Sequence, residues 1–546
     1  MNGQPPSTQS RSLSPALGWL GCSLVVAVLY CLPPLHNAFS AAYVVQDDAR
    51  QHVFWMQRYV DPSLFPNDFL ADYFQSVAPW GYATVYRVGA ELGLDPWVLN
   101  KILPVLIVSA ATVFAFGVVM ELVQLPVAAF VATVFLNQIF PLRDDVVSAT
   151  PAAFFQPFFL AFLFFALRRS PWLCGLTIVL MGSFYPQGVL VMAGTLGLLG
   201  LTQIRWQKGR WRLVGTAADY WLVGVGAVAA CGVLLPYALQ DSPYGPVLTV
   251  AEARNMFALS SRGWSKFFDD DWADFWLFGK RTGLFPMEWA TLDLKVQPQL
   301  WMILSVQFLL LLPGKSPLAK VAAPRVALLG LAAIASALCY ALAHLLLFEL
   351  HLPNRYTEHS LRAIAALAAG VAVALILDRW RSRPPAPQRR PLRLGLLGVW
   401  AIAPLLVGLI AGESRGNYIH GKFPELYDYL KTQPQSTVIA SLDAEINNLP
   451  SFSNRSIFVG GQGFTLPYHS GFYATVRQRS LALIEAQYSF DPTVVRDFLA
   501  QNAIDLWLVT TAMFTPEWVR TDHWLLQYAT ETIAPQAAAA HEQPTV

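Results

Sequence analysis

The sequence predicts a polytopic α-helical membrane protein, and three observations carry that prediction. Apolar residues make up 55% of the 546 residues while charged residues make up 13%. Soluble proteins carry roughly 25% charged residues, so water is not the main solvent of this chain. Apolar stretches of about 17 to 25 residues, the length that crosses about 30 Å of hydrocarbon, recur through the first three quarters. Lys and Arg gather in alternate connections between those stretches, the bias that sets orientation in a bilayer.

The predicted crossings number eleven, at 16–35, 98–120, 126–141, 150–167, 171–185, 188–204, 216–238, 298–313, 325–348, 361–378 and 394–412. Those on either side of Tyr185-Pro186-Gln187 are short, as tilted or partly re-entrant segments are; the tripeptide itself reads as a tight outer turn. Residues 1–15 form a Ser, Gln and Pro-rich tail with a single Arg11, and the apolar run after it is long enough to be a retained helix. With the N-terminus in the cytoplasm, Arg168-Arg169, Arg205 to Arg212, Lys315 to Arg325 and Arg379 to Arg393 all face inward. An odd number of crossings then puts the C-terminus outside. The expected organisation is a helical domain over 16–412, an extracytoplasmic unit over 413–533 and a disordered, low-complexity tail over 534–546, and the lack of sorting signals and of outer disulfides leads to the expectation of a bacterial inner (plasma) membrane.

The net charge of +2 gives no footing for nucleic acid. Cys22, Cys31, Cys174, Cys231 and Cys339 all lie in apolar stretches without C-x-x-C spacing, so neither disulfides nor structural zinc are expected.

Three outer segments are long: 36–97, 239–297 and everything after Gly412. In the first, Ala49, Val53, Met56 and Val60 share one helical face and Asp48 and His52 another, the pattern of an amphipathic helix lying along the membrane surface. The second is dense in aromatics from Phe257 to Phe278, as expected at headgroup level. The third reads as a small α/β unit, with helices over 423–433 and 491–502 and strands over 437–442, 456–461 and 504–510. Gly460-Gly461-Gln462-Gly463 lacks the Lys-Ser/Thr of a phosphate loop and reads as a turn.

Ionisable residues, which mark ion or proton paths inside membranes, are nearly absent from the predicted crossings. Glu121 and Asp219 fall at cytoplasmic ends, and Asn137, Gln138 and Gln156 are neutral. This argues against an ion-coupled transporter. Acidic groups gather instead at the outer face: Asp47-Asp48, Asp144-Asp145 and Asp269 to Asp271, with the segment from His351 to His359 beside them. Paired carboxylates supply a general base, because burial and mutual repulsion raise one pKa toward neutrality, or they hold a divalent cation. An arginine nearby binds phosphate in bidentate fashion. The same residues also suit blander roles. Aspartate before a helix is a common N-cap, His52 is the residue type of an ordinary surface histidine, and Arg355 sits where a side chain snorkels to the headgroups.

A first span followed by QDDARQH with Asp47-Asp48, a second acidic site at Arg143-Asp144-Asp145, and a late outer Asn354-Arg355-Tyr356 resemble the GT-C superfamily of membrane glycosyltransferases. The resemblance covers topology over most of the chain, on motifs two or three residues long. It implies a polyprenyl-phosphate-linked sugar donor and a first-loop aspartate, Asp47 or Asp48, as base toward an acceptor hydroxyl. It also implies Arg355, Tyr356 and His359 at the donor phosphate, and inversion at the sugar carbon. The expected acceptor is a glycan, lipid or protein, with His52, Arg143 and His469 as acceptor-site or supporting residues. The outer domain has no WWDYG-type signature, so transfer to protein Asn is not implied. Two other readings stay beside this one: a transporter or lipid flippase, and a non-enzymatic protein of envelope assembly whose acidic pairs are only caps.

Overall fold

The computed structural model describes residues 13–207, 210–261, 263–290, 304, 317–382, 395, 416–461 and 463–528. Nine of the expected crossings meet helices there; those at 298–313 and 394–412 fall outside the described residues almost entirely, as do the tails over 1–12 and 529–546. Five helices are long and apolar enough to cross a membrane: Pro15–Ala38, Pro96–Val123, Ala217–Leu239, Leu318–Leu345 and Pro353–Arg381. Four more apolar segments, Pro126–Leu142, Pro151–Leu167, Pro171–Phe184 and Pro186–Thr202, are shorter.

Proline sets many of the boundaries. It occupies the first helical turn at Pro96, Pro126, Pro171 and Pro186, where its missing N–H costs nothing and its fixed φ suits the helix. Asp95 caps the helix Pro96–Val123 by accepting from the N–H groups of Trp97 and Val98, and Gln124 ends it in the left-handed conformation at φ 53°. Small residues let the helices approach closely, since lipid offers no hydrophobic drive for their association. A Cβ added at Gly370 would lie 2.6 Å from the carbonyl oxygen of Ala128 and 2.7 Å from the Cβ of Ala132. That contact seats the helix Glu358–Ser382 on Pro126–Asn137.

The two ends of the bundle differ in charge. At one end Arg169 pairs with Asp219 at 2.6 Å, Arg168 approaches Glu121 at 3.7 Å, and Arg325 donates to the carbonyl of Glu121 at 2.7 Å. These are residues of the connections expected to face the cytoplasm. The acidic pairs lie at the other end.

The C-terminal unit sits on that second end, joined to the first outer segment by backbone pairing. Strand Val44–Gln46 runs antiparallel to Tyr418–His420, with Val44 opposite His420 and Gln46 opposite Tyr418. Beyond this junction lies a three-stranded parallel sheet, in the order Ser456–Ile457, Val438–Ala440, Leu506–Trp507. The helices Pro424–Thr432 and Pro492–Gln501 fall at the expected positions, and a further helix, Ser470–Tyr488, was not expected. The glycine turn docks on the first outer segment: Gly463, at φ +87°, has the side chain of Gln51 where a Cβ would stand.

Two expectations about the outer segments change. The helix after Asp48 is short, Ala49–Val53 followed by a 3-10 turn Phe54–Tyr59, and Phe54, Trp55 and Gln57 are buried along with Val53 and Met56. Side chains on every face except Val60's neighbourhood pack into protein, so this segment is an internal element and not one lying on the membrane. The aromatic segment divides. Phe267 is buried against Phe348, with ring centroids 5.0 Å apart, whereas Trp272 and Trp276 are exposed.

Candidate active site

The site is assembled from four parts of the chain that meet at the acidic end of the bundle: the turn after the first span, the segment 143–145, the outer segment 280–288 and the entry to the helix Glu358–Ser382. Asp47 and Asp48 follow strand Val44–Gln46 directly. Asp47 pairs with Arg50, whose other nitrogen donates to Asn448 Oδ1 at 2.7 Å. Asp48 stands at the N-cap position of Ala49–Val53, yet its side chain makes no capping hydrogen bond. The side-chain oxygen of Gln46 does that work, accepting from the N–H groups of Asp48 at 2.7 Å and Ala49 at 3.2 Å. The carboxylate of Asp48 is therefore left for another use. It is half-buried and forms no ion pair within 4.0 Å among the described residues.

Asp144 and Asp145 open the short helix Asp144–Val147, whose N-cap is Arg143 and which also lacks a side-chain cap bond. They point to different surroundings. Asp144 accepts from Asn417 Nδ2 at 2.7 Å, while Asp145 pairs with Arg143 at 2.9 Å and faces His359 Nδ1 at 3.7 Å.

Behind them runs an ion network. Arg143 meets Glu358 and lies 3.7 Å from Glu288. Arg362 meets Glu358 at 3.0 Å and Glu288 at 2.7 Å, and Arg355 approaches Glu358 at 3.5 Å. With Asp145 this makes, among the described residues, three guanidiniums and three carboxylates, formally neutral. That balance is what makes charges tolerable at such depth, because an ion taken out of water costs several kcal/mol unless paired. Asn354 completes Glu358's partners, donating at 2.6 Å, and also donates to the backbone of Lys280 at 2.5 Å. The outer segment carrying Lys280 and Arg281 is thereby tied to the site.

Environment separates the acids. Burial, then the charges of Asp47, Asp144 and Asp145, push Asp48 up to about 6, with Lys280 opposing. Burial and Asp145 also raise Asp144. Burial works to raise Asp145 too, but Arg143 and His359 overcome it and hold it below the usual carboxylate range. Carboxylates pushed apart in this way are how a site divides base and ion-pairing roles.

The other expected residues are placed as follows. His359 is buried, its ring 5.2 Å from that of Phe155 and 5.8 Å from that of Tyr185. Arg355 lies at the edge of the network. Tyr356 does not join it: the ring is buried and its hydroxyl donates to the carbonyl of Leu350 at 2.7 Å, inside the Phe348–Tyr356 turn. His52 is half-buried and pushed down to about 4 by that burial. His469 shares a 3.0 Å hydrogen bond with Tyr73. Its neighbour Tyr468 packs on His351, ring centroids 5.2 Å apart, and His351 in turn faces the charges of Arg355 and Arg281. Asp269 to Asp271 stay apart, with Asp269 paired to Lys266 and Asp271 accepting from the N–H of Asp274.

Glu358, Glu288, Arg362, Lys280 and Asn417 were not foreseen as site residues, nor was Tyr185, whose buried hydroxyl makes no hydrogen bond among the described residues and lies near the charges of Arg355 and Glu358. One signal was available: Arg362 lies inside the expected crossing 361–378, an ionisable residue four positions after Glu358 on the same helix face.

No family model matches the chain, and no curated protein matches it. Among solved structures it is similar to the Archaeoglobus fulgidus oligosaccharyltransferase tethered to an acceptor peptide containing the NVT sequon. That likeness has 11% identity and a TM-score of 0.49, over 94% of this chain and 71% of that one. It is also similar to the arabinofuranosyltransferase AftD from Mycobacteria, at 13% identity and a TM-score of 0.42, over 78% of this chain and 29% of that one.

Proposed function

We propose that the protein is a membrane glycosyltransferase of GT-C type that moves a sugar from a polyprenyl-phosphate donor to an acceptor hydroxyl at the extracytoplasmic face, with Asp48 as general base. One observation carries this reading: Asp48 is spared from capping, left without an arginine and pushed up to about 6, facing Asp144 and Lys280. A base poised near neutrality is most effective. The capping reading requires a side-chain bond that Asp48 does not make among the described contacts.

In the proposed step the acceptor oxygen attacks the anomeric carbon while Asp48 takes its proton. The bond from that carbon to the phosphate oxygen breaks, and the polyprenyl phosphate leaves with the electron pair. Attack from the face opposite the leaving group inverts the sugar carbon. Lys280 and Arg355, on the two sides of Asn354, are the cations that would meet the departing phosphate, whose lipid stays in the bilayer. Arg143 and Glu358 hold the surrounding charges in register. A divalent cation finds no group of three His, Cys, Asp or Glu ligands together among the described residues, and arginines take up Asp47 and Asp145, so no step is assigned to one. In this reading the N-terminus is cytoplasmic and the C-terminal unit extracytoplasmic, in the inner (plasma) membrane.

The test offers purified protein a panel of synthetic polyprenyl-phosphate monosaccharides, hexosyl and pentosyl, with membrane extract as acceptor source, and measures release of polyprenyl phosphate. Mass spectrometry of envelope glycans from cells carrying Asp48→Asn or Asp47→Asn gives the second arm. Loss of one defined glycan at normal protein level supports the base; an unchanged glycan profile in both variants removes it.

A further inference from the structure

We propose that Asn417 is a positioning residue that binds the two acidic pairs into one centre, so that the C-terminal unit completes a site otherwise built by the helical bundle. Its backbone carbonyl accepts the N–H of Asp47 at 3.0 Å, and its carboxamide donates to Asp144 Oδ2 at 2.7 Å. A single residue thus touches both pairs, 273 positions along the chain from the second.

The local backbone explains why asparagine stands there. Asn417 has φ 44° and follows Gly416 at φ +118°, a left-handed pair of residues in which asparagine is among the few side chains readily tolerated. The chain then enters the strand whose Tyr418 lies opposite Gln46. Gln46, nearly fully buried, holds the N–H of Asp48. An unbroken series of hydrogen bonds therefore runs from the strand junction, through Gln46, to the turn bearing Asp47 and Asp48, and from Asn417 across to Asp144.

The chemistry follows from what an N–H donor does to a carboxylate: it favours the charged form. Asp144 faces Asp145, Asp47, Arg143 and Lys280, and burial with the charge of Asp145 pushes it toward protonation. The carboxamide of Asn417 opposes that push. Kept anionic, Asp144 continues to repel charge on Asp48, which also faces Asp47, Asp145 and Lys280, and Asp48 stays basic enough to take a proton. This role rests on the reading of Asp48 as base.

The experiment uses the full chain in nanodiscs and the variant Asn417→Gly, which keeps the left-handed backbone and the carbonyl acceptor while removing only the amide donor. Carbodiimide with an amine nucleophile labels protonated carboxyls, and peptide mass spectrometry follows Asp144 and Asp48 between pH 5 and 8, with Asp428 as internal control. The expected result is a labelling midpoint that moves to higher pH at Asp144 and to lower pH at Asp48, with Asp428 unchanged. Midpoints that stay as in the native protein overturn the proposal, whatever the variant's stability. In the donor-release assay, kcat falls by about tenfold with KM little changed. Asn417→Asp is poorest at pH 8 and recovers toward pH 6, where a protonated Asp side chain again donates to Asp144; equal activity ratios at both pH values count against the role. Shifted labelling in a protein that turns over no donor leaves the positioning intact and sinks the glycosyltransferase reading; turnover without shifted labelling does the reverse.

Discussion

If Asp48 is the base proposed above, the acid limb of activity has a calculable shape. With its carboxyl held at about 6, the deprotonated fraction is about nine-tenths at pH 7 and about one-tenth at pH 5, so kcat/KM falls by about tenfold across that interval. Asp48→Asn removes the base altogether and lowers kcat by about 10²–10⁴-fold, the range general base catalysis supplies. The neighbours then provide a test of sign. Asp47 raises the Asp48 pKa and Lys280 lowers it, so Asp47→Asn moves the acid limb to lower pH and Lys280→Met moves it to higher pH. The assay is the pH profile of polyprenyl phosphate release, for native protein and the three variants, at fixed ionic strength. Shifts in the same direction for Asp47→Asn and Lys280→Met, or a profile flat between pH 7 and 5, would refute the assignment.

The same carboxyl affects stability. Its folded pKa lies above the unfolded value of about 4, so the stability it contributes is present below that value and is lost as pH rises through about 6. Thermal melts of Asp48→Asn should therefore gain on the native protein between pH 5 and pH 7, and a constant gap would contradict the burial. Glu358→Ala leaves Arg143, Arg355 and Arg362 short of a carboxylate and costs about 3–5 kcal/mol; adding Arg362→Met should recover part of it, and additive losses in the melts would show the network is not coupled. Gly370→Leu drives a side chain into Ala128 and Ala132 and costs about 1–3 kcal/mol by overpacking, read as a lower melting temperature with the pH profile unmoved.

What was legible in the residues follows from physical range. Hydrocarbon burial writes long apolar runs, so nine expected crossings coincide with described helices, while the remaining two lie outside those residues. Asp47-Asp48 stood out because an acidic pair soon after the first span lies on the same face as the other acidic pairs. The partners of those acids were hidden by distance along the chain. Arg143 meets Glu358 across 215 positions and Asn417 meets Asp144 across 273, and no local pattern encodes either contact. The segment after Asp48 was misread because Ala49, Val53, Met56 and Val60 give a helical period, while Phe54 and Trp55, lying off that stripe, carried the sign of all-round burial. Tyr356 followed its motif into the donor site on paper; in the structure the left-handed residues Phe348 and His351 fold the turn so that its hydroxyl meets Leu350.

The junction of Val44–Gln46 with Tyr418–His420 also sets a schedule. Ribosomes add about 5–20 residues per second, so the early strand waits on the order of half a minute, its edge unpaired, before its mate emerges. A chain halted before residue 417 holds both acidic pairs yet lacks the one residue that hydrogen-bonds to both. Late pairing thus delays assembly of the acidic centre until the C-terminal unit is made, and a separately expressed C-terminal fragment becomes a natural candidate for complementation.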